Sequence, residues 1–155
     1  MTTRILLWIL VMFFAFHLAG HVYELIVNIP NWRSGEVAEV MRYRDFYAKS
    51  DPKYYFIFIY VGSIIASLSC VFLAWNTGGR LLGLTAAAFL IVVGVFIFTA
   101  VFFVPINNYI WGTDYDAVLL KGMVQRWVLM EYVRVVLVAI GLACSIFALE
   151  TSGNG

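Results

Sequence analysis

The sequence predicts an all-α membrane protein, an antiparallel bundle of four transmembrane helices that forms one domain over residues 1–155. Hydrophobic residues make up 63% of the chain, and the mean hydropathy is +0.91. Charged residues make up only 12%, about half of their usual share in soluble domains. The apolar residues fall in four runs, each long enough to cross a hydrocarbon core of about 30 Å as a helix. These predicted spans are residues 5–27, 54–75, 81–104 and about 127–149.

The first span is predicted to remain in the mature protein. Arg4 precedes the first run as in a signal peptide, but the run is long and lacks a small-x-small cleavage site before Glu24, which predicts a retained helix.

Residues 75–80 read Trp-Asn-Thr-Gly-Gly-Arg, a tight turn that makes the second and third spans antiparallel neighbours. In the longer connection 28–53, residues 36–47 predict a short amphipathic helix. A lid over the bundle and an interfacial anchor are both open interpretations of it.

The third connection, predicted over residues 105–126, lies on the same membrane face and carries aromatic residues typical of the interface, Tyr109, Trp111 and Tyr115. The two long connections hold most of the basic residues, so the positive-inside rule favours placing them in the cytoplasm of a cell membrane. Pairing with acidic residues of the first connection would weaken that preference.

Charge and cysteines limit the partners. A net charge of +1 without a run of Lys or Arg gives no electrostatic reason to expect nucleic acid. Cys70 and Cys144 lie in apolar runs without CxxC spacing, which favours small core residues over a disulfide or a metal site. The expected partners are the lipid bilayer and a hydrophobic small molecule. A homo-oligomer is also compatible with the sequence.

Ionisable residues inside the predicted spans indicate a functional site, because such groups are costly in hydrocarbon. His17, His21 and Glu24 share one helical stripe and lie about 6–16 Å from the loop-bearing end. Glu131 and Arg134 enter the last span to a matching depth. Together with polar residues of the other spans, they predict a pocket that opens toward the two long connections. Those residues are Tyr60, Asn107 and Asn108.

A purely structural interpretation accompanies this one. Glu24 and Arg134 can form a structural ion pair, and Asn107 and Asn108 can cap a helix broken at Pro105. Several polar groups on one side are nevertheless more than a bundle needs, because polar contacts between membrane helices are individually weak.

Several motifs resemble a known family. Val104-Pro105-Ile106-Asn107-Asn108, followed by Arg126-Trp127-x-x-x-Glu131-x-x-Arg134, is similar to the anthrone oxygenase-like family of small four-helix membrane proteins. Gly20-x-x-Tyr23-Glu24 and Pro30-x-Trp32 add to this resemblance. The carboxylate of Glu131 departs from the family pattern, in which an asparagine is expected at this position.

The resemblance implies oxidation of the activated CH2 of an anthrone or similar polycyclic phenol to a quinone, with dioxygen and without a required cofactor. His21 or His17 is then the general base, and Glu24 either orients it or replaces it. Arg134, Arg126, Asn107 and Asn108 donate to the developing oxyanion. The flat substrate packs against aromatic rings, namely Tyr60, Trp127 and Trp32.

Two alternatives remain open at this point. His17 and His21, spaced i and i+4, with Glu24 or Glu131, form a 2-His-1-carboxylate set for non-haem iron, or one histidine holds a haem. The chain is alternatively a non-catalytic membrane module that binds a lipid, a quinone or a partner protein, or a small transporter subunit.

Overall fold

The structure, a computed structural model, describes residues 2–153, and every regular element in that range is helical. Two π-helical turns, Glu24–Asn28 and Thr99–Phe103, extend α1 and α4. A 3-10 turn, Ile29–Asn31, follows the first of them. The six α-helices are α1 Thr2–Tyr23, α2 Val37–Phe46, α3 Lys53–Ala74, α4 Gly79–Phe98, α5 Val104–Ile110 and α6 Ala117–Thr151.

Four continuous helical segments are long and apolar enough to cross a membrane. The first span packs against the second and the fourth, and the third span packs against the same two, so the four form a closed bundle. This confirms the predicted fold class. The spans are Thr2–Asn31, Lys53–Ala74, Gly79–Ile110 and Ala117–Thr151.

The half of the bundle nearer the chain termini is an apolar core with close helix contacts. The Phe14 ring lies directly over Gly141 of α6, and the Phe13 ring lies over Gly62 of α3, where an added Cβ would collide with either ring. At this end α3 and α4 are joined by the predicted turn. Gly78 and Gly79 have φ values of 64° and 59°, a conformation that glycine adopts without steric cost.

The predicted amphipathic helix is present as α2, and it lies over the opposite end of the bundle. Arg44 donates to the Gly112 carbonyl at 2.9 Å, and Val40 is fully buried. Gly35, at a φ of 72°, lies against the backbone of Lys121 at the start of α6. These contacts fix α2 to both the α5–α6 connection and α6.

The third connection is shorter than predicted, because helix occupies most of residues 105–126. Pro105 lies in the first turn of α5, where its missing N–H costs little. The π turn Thr99–Phe103 precedes it, so the third span continues past the proline to Ile110. α6 begins ten residues earlier than predicted because the Asp116 carboxylate caps it, accepting from the N–H groups of Val118 and Leu119 at 2.8 and 3.0 Å.

Candidate functional site

The centre of the site is a buried carboxylate, Glu131 of α6, which joins the first and fourth spans. Its Oε1 accepts a hydrogen bond from Nδ1 of His21 at 2.8 Å. Its Oε2 accepts from Nε of Arg134 at 2.7 Å and from Nη2 of the same side chain. His21 and Glu131 are fully buried and Arg134 is only 6% exposed. The predicted match in depth between the two spans is therefore present as a direct contact.

The chain of polar contacts continues to the other two spans. Nη1 of Arg134 lies 3.5 Å from Oγ1 of Thr99 in the π turn, and that oxygen lies 2.7 Å from the Tyr60 hydroxyl on α3. The Arg134 guanidinium also stacks on the Phe103 ring, at 3.5 Å from the ring centre. Charge neutralisation and π contact together let the membrane interior hold a cation. Each of the four spans contributes at least one member to this chain.

A second polar chain leads from Glu24 toward the loop-bearing face. Asn28 donates from Nδ2 to Oε1 of Glu24 at 2.9 Å, and the Tyr47 hydroxyl donates to Oδ1 of Asn28 at 2.8 Å. Burial raises the pKa of Tyr47, and it raises that of its neighbour Tyr43 still more strongly. Both phenols therefore remain protonated donors at neutral pH. Oε2 of Glu24 is buried without a hydrogen-bond partner among the described residues.

A cavity of about 360 Å³ lies under α2, between α3 and the third span. Its volume is in the range of small-molecule sites. Its inner wall combines polar side chains with large aromatic faces. The sequence-predicted residues on this wall are Glu24, Trp32, Tyr60, Asn107, Trp127 and Arg134.

The two histidines lie one layer behind this wall. The His21 ring stacks on Phe56 at 4.9 Å, and the His17 ring meets Tyr60 edge-on at 4.5 Å. Phe56 and Tyr60 line the cavity, whereas neither histidine does. Both ring nitrogens of His17 and Nε2 of His21 are buried without a partner in the part of the chain that the structure describes.

Two predicted residues point away from the whole site. Arg126 and Asn108 are exposed, and neither lines the cavity. The reason is helical geometry. Arg126 directly precedes the inward-facing Trp127, and Asn108 directly follows the inward-facing Asn107, so each points about 100° away from its neighbour. The suggested Glu24–Arg134 ion pair is also absent among residues 2–153, because Arg134 is paired with Glu131 and Glu24 with Asn28. Asn107 does not cap a broken helix; its Oδ1 accepts from Nε1 of Trp127 at 2.9 Å.

Sequence reasoning missed Thr99 and Phe103, which contact Arg134. Both belong to a π turn, and Glu24 opens the other π turn. Single π turns within α-helices are frequent at functional sites, because the inserted residue reorients its neighbours. A hydroxyl at Thr99, at the depth of the other polar residues, was the available signal. For Phe103 the sequence offered none.

The suggested iron ligands do not come together as a group of three. Within residues 2–153, no group of three or more His, Cys, Asp and Glu side chains is placed to hold a metal ion. His21 uses Nδ1 for Glu131, and Glu24 uses Oε1 for Asn28. The two imidazoles themselves are neighbours, with ring centres 5.0 Å apart.

A sequence profile described as Anthrone oxygenase matches residues 53–144, more than half of the chain. The matched region contains Tyr60, Thr99, Asn107 and the α6 residues of the site, whereas the first span lies outside it. No curated protein and no solved structure matches the chain at a significant level.

Proposed function

The chain belongs to the anthrone oxygenase family, and from this premise we propose that it oxidises a hydrophobic, anthrone-like polycyclic phenol with dioxygen in the cavity between α3 and the third span. The observation that carries the proposal is the pairing of two opposite groups on one cavity wall. Glu24 and Arg134 both line this wall. Glu24 has a buried carboxylate oxygen without a hydrogen-bond partner among the described residues, and Arg134 has a guanidinium. A carbon acid needs both, a base for its proton and a cation for its anion.

We assign the role of base to Glu24. Its Oε2 is the only carboxylate oxygen among residues 2–153 that is buried without a partner. Asn28 holds the other oxygen, which fixes the orientation of the carboxylate. His21 and His17 are behind Phe56 and Tyr60 and do not line the cavity. In this proposal they support the wall, and His21 holds Glu131 in place for Arg134.

The anion of the substrate forms where donors already exist. Arg134 is fixed by Glu131 and Phe103, so it does not reorganise when charge develops on the substrate oxygen, and such fixed donors count most in a low-dielectric site. Oδ1 of Asn107 accepts a hydrogen bond from Trp127, which leaves the amide N–H groups of Asn107 as donors. Trp32 and Trp127, whose rings meet edge-to-face at 5.0 Å, form part of the apolar lining against which the rings of the substrate pack.

The proposed reaction balances without a further redox partner. Glu24 removes one proton from the CH2 carbon, and the delocalised anion passes an electron to dioxygen. Recombination forms a carbon–oxygen bond, and cleavage of the O–O bond with loss of the second C–H proton releases water. The CH2 group and O2 thus become a C=O group and H2O, with the carbon oxidised by four electrons and dioxygen reduced by four.

The test is dioxygen uptake and quinone formation by the purified protein in lipid nanodiscs, with metal content measured on the same sample. We expect Glu24→Gln, which keeps an acceptor for Asn28, to lower turnover about 10²–10⁴-fold. Its matched control is Glu150→Gln, an exposed carboxylate of α6. Wild-type turnover in Glu24→Gln would refute the assigned base. A stoichiometric metal that activity requires would refute the cofactor-free reaction, and tight binding of an anthrone without turnover would favour the non-catalytic module.

A further inference from the structure

We propose that the ligand of this cavity arrives sideways from the bilayer, through a lateral cleft between α3 and the third span. The cleft is defined by five exposed residues of the cavity lining, Ile57 and Val61 on α3 and Phe96, Ala100 and Val104 on the third span. The inference rests on the proposed function only for the class of ligand, a flat apolar molecule with one polar edge.

The first observation is the separation of polarity within one cavity. All five cleft residues are apolar, and Ile57, Val61 and Phe96 are about half exposed, at 54%, 49% and 46%. Arg134 and Glu24, which also line the cavity, are instead only 6% and 5% exposed. A cavity that opened into water would carry the reverse pattern, because polar groups gain from solvation at an aqueous mouth.

The second observation is depth. Counting helical rise from Lys53, Ile57 and Val61 lie about 6 and 12 Å from the loop-bearing end of α3. Counting back from Ile110, Val104 and Ala100 lie about 9 and 15 Å into the third span. The cleft therefore faces the hydrocarbon region of a bilayer that these spans cross.

The third observation is how the helices pack. The extensive contacts of α3 are with α1 and α4, whereas α5 packs on α6 and on the π turn before it. The second and third spans are thus joined at the Gly78 turn, and at the opposite, loop-bearing end of the bundle they flank the cavity. Within the gap, the Tyr60 hydroxyl and Thr99 meet at 2.7 Å and close its inner side.

Part of the aqueous side is covered. Trp32 is 1% exposed and lies between the rings of Tyr43 and Trp127, at 5.1 and 5.0 Å. Arg44 anchors α2 to the Gly112 carbonyl. Along the interface, the cleft ends at Asp51 and Lys53, which pair at 2.9 Å. A molecule dissolved in the bilayer therefore has a path to the inner wall that does not displace α2.

The test measures ligand association rather than turnover, so it stands apart from the oxidation chemistry. The probe is a hydroxyanthraquinone, and its binding to the protein in nanodiscs is followed by stopped-flow quenching of tryptophan fluorescence. Val61→Phe and Ala100→Phe place bulk in the cleft. The control Val136→Phe is a lipid-facing valine of α6, 57% exposed, outside the cavity.

We expect each cleft variant to slow association about ten-fold or more, and to slow dissociation with it, while the control stays within two-fold of the parent rate. Raising the amount of lipid at fixed total probe should slow association, since the rate follows the probe's mole fraction in the bilayer. Arg44→Ala, which removes one anchor of α2, should leave the rate unchanged.

The opposite pattern would overturn the inference: unaltered rates in both cleft variants with faster association in Arg44→Ala. Absence of probe binding to the parent protein would overturn the ligand class and the inference with it. Slowed association in the cleft variants of a protein that does not oxidise anthrones would uphold the lateral path and refute the proposed reaction. The two proposals therefore fail separately.

Discussion

Replacing Glu131 with glutamine removes one charge from the buried chain while preserving the size of the side chain. The carboxylate now accepts from His21 on one oxygen and from Arg134 on the other. A carboxamide has one acceptor and one donor face. Arginine has no acceptor, so the amide oxygen must turn to Arg134, and the amide NH2 then faces Nδ1 of His21. We expect His21 to move its proton from Nδ1 to Nε2.

The energetic consequence follows from burial. Glu131 is fully buried and Arg134 is 6% exposed, so Glu131→Gln leaves a guanidinium in the bundle without its counter-charge. Breaking a buried pair in this way costs about 3–5 kcal/mol. The retained amide oxygen and the Phe103 ring recover part of that loss, so we expect the lower end of the range. Glu150→Gln, on the same helix but exposed, should change stability by less than about 0.5 kcal/mol.

The assay exploits the presence of only two histidines in the chain. Nitrogen-15 labelling of histidine gives spectra of His17 and His21 alone, and His17→Ala assigns them. In the parent protein, His21 should show a protonated Nδ1 and a bare Nε2, and Glu131→Gln should exchange the two. Reversible unfolding in mixed micelles gives the stability. An unchanged His21 tautomer together with a loss below about 1 kcal/mol, as for exposed pairs, would refute the buried chain.

Two further predictions concern packing and pH. Gly141→Ala drives a methyl group into the buried Phe14 ring, so we expect a loss of about 1–3 kcal/mol in the same unfolding assay. Gly94→Ala, whose added Cβ would lie in open space, should be neutral or stabilising, and equal effects of the two substitutions would refute the contact. Burial, and next the negative charge of Glu24, raise the pKa of Tyr43 in the folded protein, so its contribution to stability is complete below the unfolded pKa of about 10 and is lost as pH rises above it. Tyr43→Phe should flatten that alkaline loss in thermal melts between pH 9 and 12, and an unchanged pH profile would contradict the burial of its hydroxyl.

The spans were predictable because a bilayer imposes a length and a polarity that any sequence must show. The polar layer was predictable for the same reason, since His21, Glu131 and Arg134 are conspicuous against apolar neighbours, and helical rise alone matched their depths. The pairing among them was not predictable. Spacing i, i+3 placed Glu131 beside Arg134, but which carboxylate meets His21 depends on how α1 and α6 rotate about their axes.

The π turns set the other limit. A one-residue insertion in a helix shifts every later side chain by about 100°, so a pattern read with a constant period fails beyond it. Phe103, the last residue of the second π turn, gave no signal for this reason. The third span was ended too early because Pro105 was taken as a helix break, whereas it lies in the first turn of α5. On α6, where the helix is regular, the same reasoning explains why Arg126 faces outward while Trp127 faces the cavity.

The extent of the family match divides the proposed chemistry into two parts. Residues 53–144 include Arg134, Asn107 and Trp127, which bind the rings and the anion of the substrate in our proposal. The proposed base, Glu24, lies in the first span, outside the match. His21 of the same span holds Glu131 and thereby orients Arg134. In our proposal the first span therefore contributes to both parts: Glu24 is the base, and His21 supports the anion site through its hydrogen bond to Glu131. Loss of His21 should then weaken anion binding, and loss of Glu24 should slow proton removal, so the two substitutions separate the functions that one helix supplies.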